Sequence, residues 1–240
     1  MKHLLSCGIA FVAACGGSPT PADPSEHMAE LSESAGTHAG RKGGGPSVQS
    51  ELGEIDQKEA ERAFANAEAA IAGCHKKGVA RIEYLSGDVA FLVRVSAEGK
   101  ARYVVLESST LGDRATEKCM TDALAKASWP TPVGGEAEAR KSIGFTPGDA
   151  REPVTWSPEK VAAVLQDKSD ALTACKQGSS AQFHVTAYVE PSGKDGKIQS
   201  LGVASSSPEA FASADCVVNA LKSAKLPSPG SYAAKVSFDF

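Results

Sequence analysis

No apolar run in this sequence reaches the ~20 residues that an α-helix needs to cross a bilayer. Basic residues are not in excess: 25 Lys and Arg stand against 29 Asp and Glu, a net charge of −4. That balance argues against a nucleic-acid partner. Aromatic residues make up 6% of the chain, with only two Trp and four Tyr, which fits small domains with little aromatic core. No C-x-x-C pair occurs, so the closely spaced ligands of a structural zinc site and the usual redox dithiol are both missing. G-x-S-x-G, P-loop and H-E-x-x-H motifs are absent too.

What the chain does have is an internal repeat. Residues 119–132, CMTDALAKASWPTP, return as residues 216–229, CVVNALKSAKLPSP. Cys119, Ala123, Leu124, Ala127, Pro130 and Pro132 recur at a constant offset of 97 as Cys216, Ala220, Leu221, Ala224, Pro227 and Pro229. A cysteine, a helical stripe and two prolines in one order predict two copies of one small domain. A length of 240 residues has room for both. The six cysteines fit this division: Cys7 and Cys15 near the start, Cys74 and Cys119 in the first copy, Cys175 and Cys216 in the second.

Residues 1–14 read as a secretory signal, with Lys2 in a short positive region and an apolar stretch from Leu4 to Ala14. They end in Val12-Ala13-Ala14-Cys15, which resembles the bacterial lipobox. The resemblance implies a diacylglycerol thioether on Cys15, cleavage before it and N-acylation with a palmitate-type chain. The alternative is a plain signal peptide beside an incidental Cys15. Two or three acyl chains anchor far more firmly than one. Gly16, not Asp, follows the cysteine, so the expected location is the outer membrane, facing the periplasm. Residues 15–56 are rich in Gly, Ser, Pro and Ala and carry few large apolar residues. They read as a disordered tether spanning on the order of 35 Å as a coil.

From residue 57 the pattern becomes regular. Phe64, Ala67, Ile71 and Cys74 share one face of a helix over Glu59–Lys77, with Gly78 as its stop. Val89, Phe91, Val93 and Val95 alternate with Ala90, Leu92, Arg94 and Ser96, and Ala101–Glu107 returns after a turn at Gly99, with Val104 and Leu106 inward. A second helix, about Asp113–Ser128, is expected to bury Cys119, Met120, Ala123, Leu124 and Ala127, and Arg140–Phe145 forms a last strand. In residues 155–240 the same order returns. Ser157 caps a helix that buries Val161, Leu165, Leu172 and Cys175. Phe183, Val185, Ala187 and Val189 point inward, with His184, Thr186 and Tyr188 outward. Ile198–Ala204 returns, a helix over Pro208–Lys225 buries Cys216 and Leu221, and Val236–Phe240 closes the chain. The expected class is α+β: two tandem domains, residues 57–147 and 155–240, each helix-strand-strand-helix-strand with helices on one face of an antiparallel sheet.

This pattern resembles the TonB C-terminal-like domain, in particular its cysteine-bearing AgmX/PglI C-terminal variant. The matching elements are the hairpin turning at Gly99, Ser108-Ser109, Cys119 in the second helix, and the tail Trp129-Pro130, Pro132, Gly134-Gly135. The second copy departs from it, with Leu226 for Trp129 and a single Gly230. The resemblance implies non-enzymatic envelope modules, some tied to gliding motility and others to energy transduction. An energy transducer of that kind needs an inner-membrane helix, and the chain has a lipobox in its place.

Each copy has one cysteine near the end of its first helix and one in its second, at separations of 45 and 41 residues. Two helices on one face of a small sheet would bring each pair together, and an exported compartment lets the bonds form. The expectation is Cys74–Cys119 and Cys175–Cys216, against zinc binding, a redox pair or four free thiols. No catalytic, cofactor or metal site is expected. His75 follows Cys74 on a helix and points away from it, and His184 is expected to be solvated. Ser108-Ser109 and Ser205-Ser206-Ser207 read as N-caps, and Asp56, Glu59, Glu61 and Asp195 as surface carboxylates. The favoured function is protein binding in the envelope by strand addition. Candidate edges are the hairpin strands, Arg140–Phe145 and Val236–Phe240. A structural or assembly subunit of a trans-envelope machine is the alternative, and an envelope enzyme the third.

Overall fold

Asp56 sets the start of the first helix, because its carboxylate accepts the Glu59 N–H at 2.9 Å. The structure, a computed structural model, describes residues 52–240. The lipobox cysteine Cys15 and the tether up to residue 51 lie outside the described residues. Helix α1 (Gln57–Val79) has Glu59 in its first turn and Lys76 and Lys77 in its last, each favourable to the helix dipole. It buries Phe64, Ala67, Ile71 and Cys74, the face read from the sequence. Gly78 does not stop this helix. It lies inside it, where Thr116 and Leu85 leave no room for a Cβ.

Strands β1 (Gly87–Val95), β2 (Ala101–Ser109) and β3 (Ala137–Phe145) form an antiparallel sheet in the order β2-β1-β3. A bulge sets Ala90 against Ser108 but Phe91 against Leu106, leaving Glu107 as an extra residue in β2. Leu106 and Val105 lie on opposite faces, beside Phe91 and Leu92, and both are buried, while Val104, expected inside, is only half-buried. Helix α2 (Arg114–Ala125) is capped by Asp113, not by a serine. Its buried face is Thr116, Glu117, Met120, Thr121 and Leu124.

The second half adds a three-residue strand β4 (Val154–Trp156) and a 3₁₀ turn, Pro158–Val161, before helices α3 (Ala162–Asp167) and α4 (Ser169–Lys176). A single helix was expected there. Ser157 makes no capping bond, and the polar run Gln166–Asp170 breaks the helix at Lys168. Strands β5 (His184–Ser192) and β6 (Asp195–Ala204) form the hairpin. Helices α5 (Pro208–Ala212) and α6 (Ala214–Leu221) follow, again two pieces where one was expected. Strands β7 (Lys225–Pro227) and β8 (Ala234–Asp239) complete a five-stranded sheet of order β4-β8-β5-β6-β7, with β4 parallel to β8. The architecture is mixed α+β with two sheets.

The larger correction concerns β5. Thr186 and Tyr188, expected to face solvent, are both fully buried because the first half packs on that face. The Tyr188 hydroxyl accepts the Ser86 N–H at 3.1 Å and donates to the Ser86 carbonyl at 2.9 Å. Thr186 donates to the Ser109 carbonyl, Tyr84 to Glu190 at 2.8 Å, and the Ser205 N–H to the Leu106 carbonyl at 2.8 Å. One apolar cluster runs from Phe64 and Phe91 to Tyr188 and Phe211, joining residues of both halves.

Two glycines permit this approach. A Cβ on Gly202 would sit 2.8 Å from both the Gly112 Cα and the Glu117 Cδ. Overpacking of a tight contact costs about 1–3 kcal/mol. Gly202→Ala is therefore expected to lower the melting temperature by several degrees. Gly73→Ala in α1, where a Cβ meets nothing within 4 Å, is expected to raise it. Thermal melts of the two variants check both signs.

Candidate functional site

The predicted cysteine pairs meet. Cys74 of α1 bonds Cys119 of α2 with Cα atoms 5.7 Å apart, and Cys175 of α4 bonds Cys216 of α6 at 5.6 Å. Each bond staples two helices over one sheet.

Residues singled out for chemistry do not converge. His75 is held by the Leu85 carbonyl at 3.0 Å and stacks near Phe145. His184 binds Asp239 at 2.7 Å. Asp56, Glu59, Glu61 and Asp195 are exposed. Ser207 caps α5, but Ser109 does not cap α2: its hydroxyl donates to Glu117 at 2.7 Å.

Of the edges proposed from the sequence, β8 is interior, lying between β4 and β5. The end of β2 is engaged by Ser205. Strand β3 differs: no strand pairs with its outer side among the described residues. The ladder tells which of its groups face outward. The Asp88 carbonyl accepts from the Thr110 N–H, so Asp88 points toward β2. Alternation then turns Val89, Phe91, Val93 and Val95 toward β3, where they meet Ile143, Lys141, Ala139 and Ala137. The intervening Glu138, Arg140, Ser142 and Gly144 turn their N–H and C=O groups outward.

A groove runs along this edge between β3 and α1. It has two stretches of about 340 Å³ each, and both are lined by Glu61, Phe64 and Lys141. Ala60, Phe64 and Ile143 give it apolar lining, while Glu61 and Glu68 line the helix side. An extended segment laid here would meet free backbone groups on one side and a helix on the other.

The outer face of the same sheet is charged. Arg94 binds Glu136 at 2.9 Å and Glu138 at 3.2 Å, Arg102 also binds Glu136, and Arg140 joins Glu107 and Glu138. Hydrogen bonds from Arg94 and then Arg102 hold the Glu136 carboxyl below its ordinary range. A solvated lattice of charges keeps this face open to water, so the unpaired backbone groups of β3 lie at the edge and not on this face.

Sequence reasoning missed Glu117. It is fully buried in α2, where Ser109 donates to one oxygen and the Val203 N–H to the other at 2.9 Å. Burial pushes its carboxyl up, against the pull of those two hydrogen bonds. A signal was there: Glu117 stands three and seven residues before Met120 and Leu124, in phase with the buried stripe. In comparisons with known proteins, no family model, no curated protein and no solved structure matches the chain at a significant level.

Proposed function

We propose that the chain is a non-enzymatic protein-binding module of the bacterial envelope, which takes an extended segment of a partner protein as an extra strand on β3. The observation that carries this reading is the groove between α1 and the free edge of β3, with alternate backbone groups of Glu138–Gly144 turned into it. Strand addition draws affinity from such main-chain groups and specificity from side-chain pockets beside them. In this reading residues 57–147 and 155–240 are tandem copies of a TonB C-terminal-like domain. Arg114 stacks its guanidinium on Phe211, the residue 97 positions later, a self-contact expected where two copies meet about a two-fold axis. Lipidated Cys15 ties the copies to the periplasmic side of the outer membrane.

Two proline variants test the edge. The Ser142 N–H points outward, so Ser142→Pro removes a docking donor without breaking a ladder bond, and proline is tolerated on edges of that kind. The Lys141 N–H points to β1, so Lys141→Pro removes a ladder bond and lowers stability. A photo-crosslinking residue in place of Lys141, in intact cells, should capture a discrete partner protein, and Ser142→Pro in the same chain should abolish capture while the melting temperature stays within a few degrees. Equal capture with and without Ser142→Pro would refute the edge site.

The second reading is a structural or assembly subunit. The packing of Tyr188 and Thr186 against the first half favours it, since such surfaces serve assembly as well as folding. A concentration-dependent oligomer in sedimentation would select it.

A further inference from the structure

We propose that Glu117 is a proton-sensitive latch between the two halves of the fold: protonated, it holds α2 against β6, and its ionisation loosens that seam.

The geometry comes first. Val203 points its N–H away from β5, because Phe183 and Phe240 exchange backbone bonds and alternation from that pair turns Ala204 inward and Val203 outward. An outward N–H on a strand needs a partner, and the Glu117 carboxyl supplies it at 2.9 Å. The other Glu117 oxygen lies 2.7 Å from the Ser109 hydroxyl of β2, which donates to the ionised carboxylate and accepts the proton of the neutral acid. One side chain thus joins α2, β2 and β6. Gly202 lies so close that a Cβ there would strike the carboxyl and the Gly112 Cα, and the carboxyl has no exposed surface.

The charges around it do not neutralise an ionised form. From its own helix, Arg114 is the cation that acts on it. That guanidinium is committed to Asp215 of α6 at 2.7 Å and lies over Phe211 of α5. Asp113, held by Arg81 and Thr116, repels a second negative charge. Tyr188 of β5 faces the site across Gly112, with its hydroxyl bound to Ser86. Strands β2 and β6 contribute only the Ser109 hydroxyl and the Val203 N–H. A buried carboxylate with two neutral donors and no ion pair is disfavoured against the neutral acid.

A second arrangement is available once the proton leaves. The Arg114 Nη1 is buried without a hydrogen-bond partner, one turn before Glu117 on the same helix. An ionised Glu117 competes with Asp215 for this guanidinium, and a shift of Arg114 releases the α2–α6 pair that crosses the seam. The folded-state pKa lies above the unfolded one, so the native state binds more protons in that interval. Stability is then greatest on the acid side and falls as pH rises through the folded value.

The test compares the full-length chain, disulfides intact, with Glu117→Gln, an isostere that keeps an acceptor for Val203 and does not titrate. As the pH rises above the ordinary glutamate range, the wild-type melting temperature should fall by about 5 °C relative to the variant. Amide-exchange protection at Val203 and Ser205 should drop at least tenfold in the wild type alone. Every other side chain is common to both proteins and cancels in the difference. A difference that does not change with pH, or that changes with the opposite sign, overturns the latch. If Glu117→Gln does not fold, carboxyl-carbon NMR of the wild type decides: a Glu117 midpoint in the ordinary glutamate range overturns the proposal, and one raised above it supports it.

Discussion

Replacing both Cys175 and Cys216 with Ala is expected to lower stability by about 4 kcal/mol, from the loop-closure entropy of a chain bridged over about 40 residues. For a folded unit of this size that is about 10 °C in melting temperature. The same term applies to Cys74–Cys119, yet the two losses should not look alike. Helix α1 runs 23 residues, is capped by Asp56 and buries seven residues, with Phe64 edge-on to Trp129 at 4.9 Å. It holds its place without the bond. Helices α3 and α4 have six and eight residues, neither has a side-chain cap, and between them they bury only Leu172 and Cys175. Helices this short are marginal alone in water. Cutting the second bond should therefore release α4 from the sheet, and amide exchange across Ser169–Lys176 should approach the unprotected rate. Cutting the first should leave α1 protected. A shift of less than 2 °C for the Cys175–Cys216 pair would mean that packing alone secures α4.

The same contrast explains how much could be read from the chain. Phe64, Ala67, Ile71 and Cys74 repeat with helical period, and all four are buried in α1. Cys119 and Cys216 are expected on buried faces too, but Cys119 is half-buried and Cys216 exposed, so the disulfides follow from setting two helices over one sheet in an oxidising compartment and not from phase alone. The edge at β3 was among the candidates, but so was β8, which β4 covers, so the pattern named the edge without singling it out. The position of the groove was not legible, because it depends on how far α1 stands from β3, and no pattern carries that distance. Period two in β5 assigns Thr186 and Tyr188 to one face but cannot say that another half of the chain covers it. The Glu107 bulge and the breaks at Lys168 and Ser213 escaped for a related reason: local patterns give the phase of an element and not its interruptions. Glu117 is the sharpest case. A charged residue in a buried stripe reads as an error until its partners appear, and Ser109 and Val203 stand 8 and 86 residues away.

Tyr188→Ala is expected to cost about 4 kcal/mol, the range for truncating a large buried aromatic, and to do so by parting the two halves. Tyr188 is wholly buried, rests 5.4 Å from the Tyr84 ring and binds both backbone groups of Ser86. Lys235 lies against its ring and donates to the same Ser86 carbonyl, where burial pushes its ammonium down to about 8. Removing the ring leaves a cavity and an unpartnered Ser86 N–H, while Tyr188→Phe removes only the hydroxyl and should cost about 1–2 kcal/mol. The two tryptophans report the halves separately, Trp129 for the first and Trp156 for the second. With single-tryptophan chains, both reporters should unfold together in the wild-type background. In the Tyr188→Ala background they should unfold at separate denaturant concentrations, because the shared core that couples them is gone. Coincident transitions in both backgrounds would place the coupling elsewhere, at Glu117 or at the Arg114–Asp215 pair, and the Glu117→Gln chain carrying the same single tryptophans would tell which.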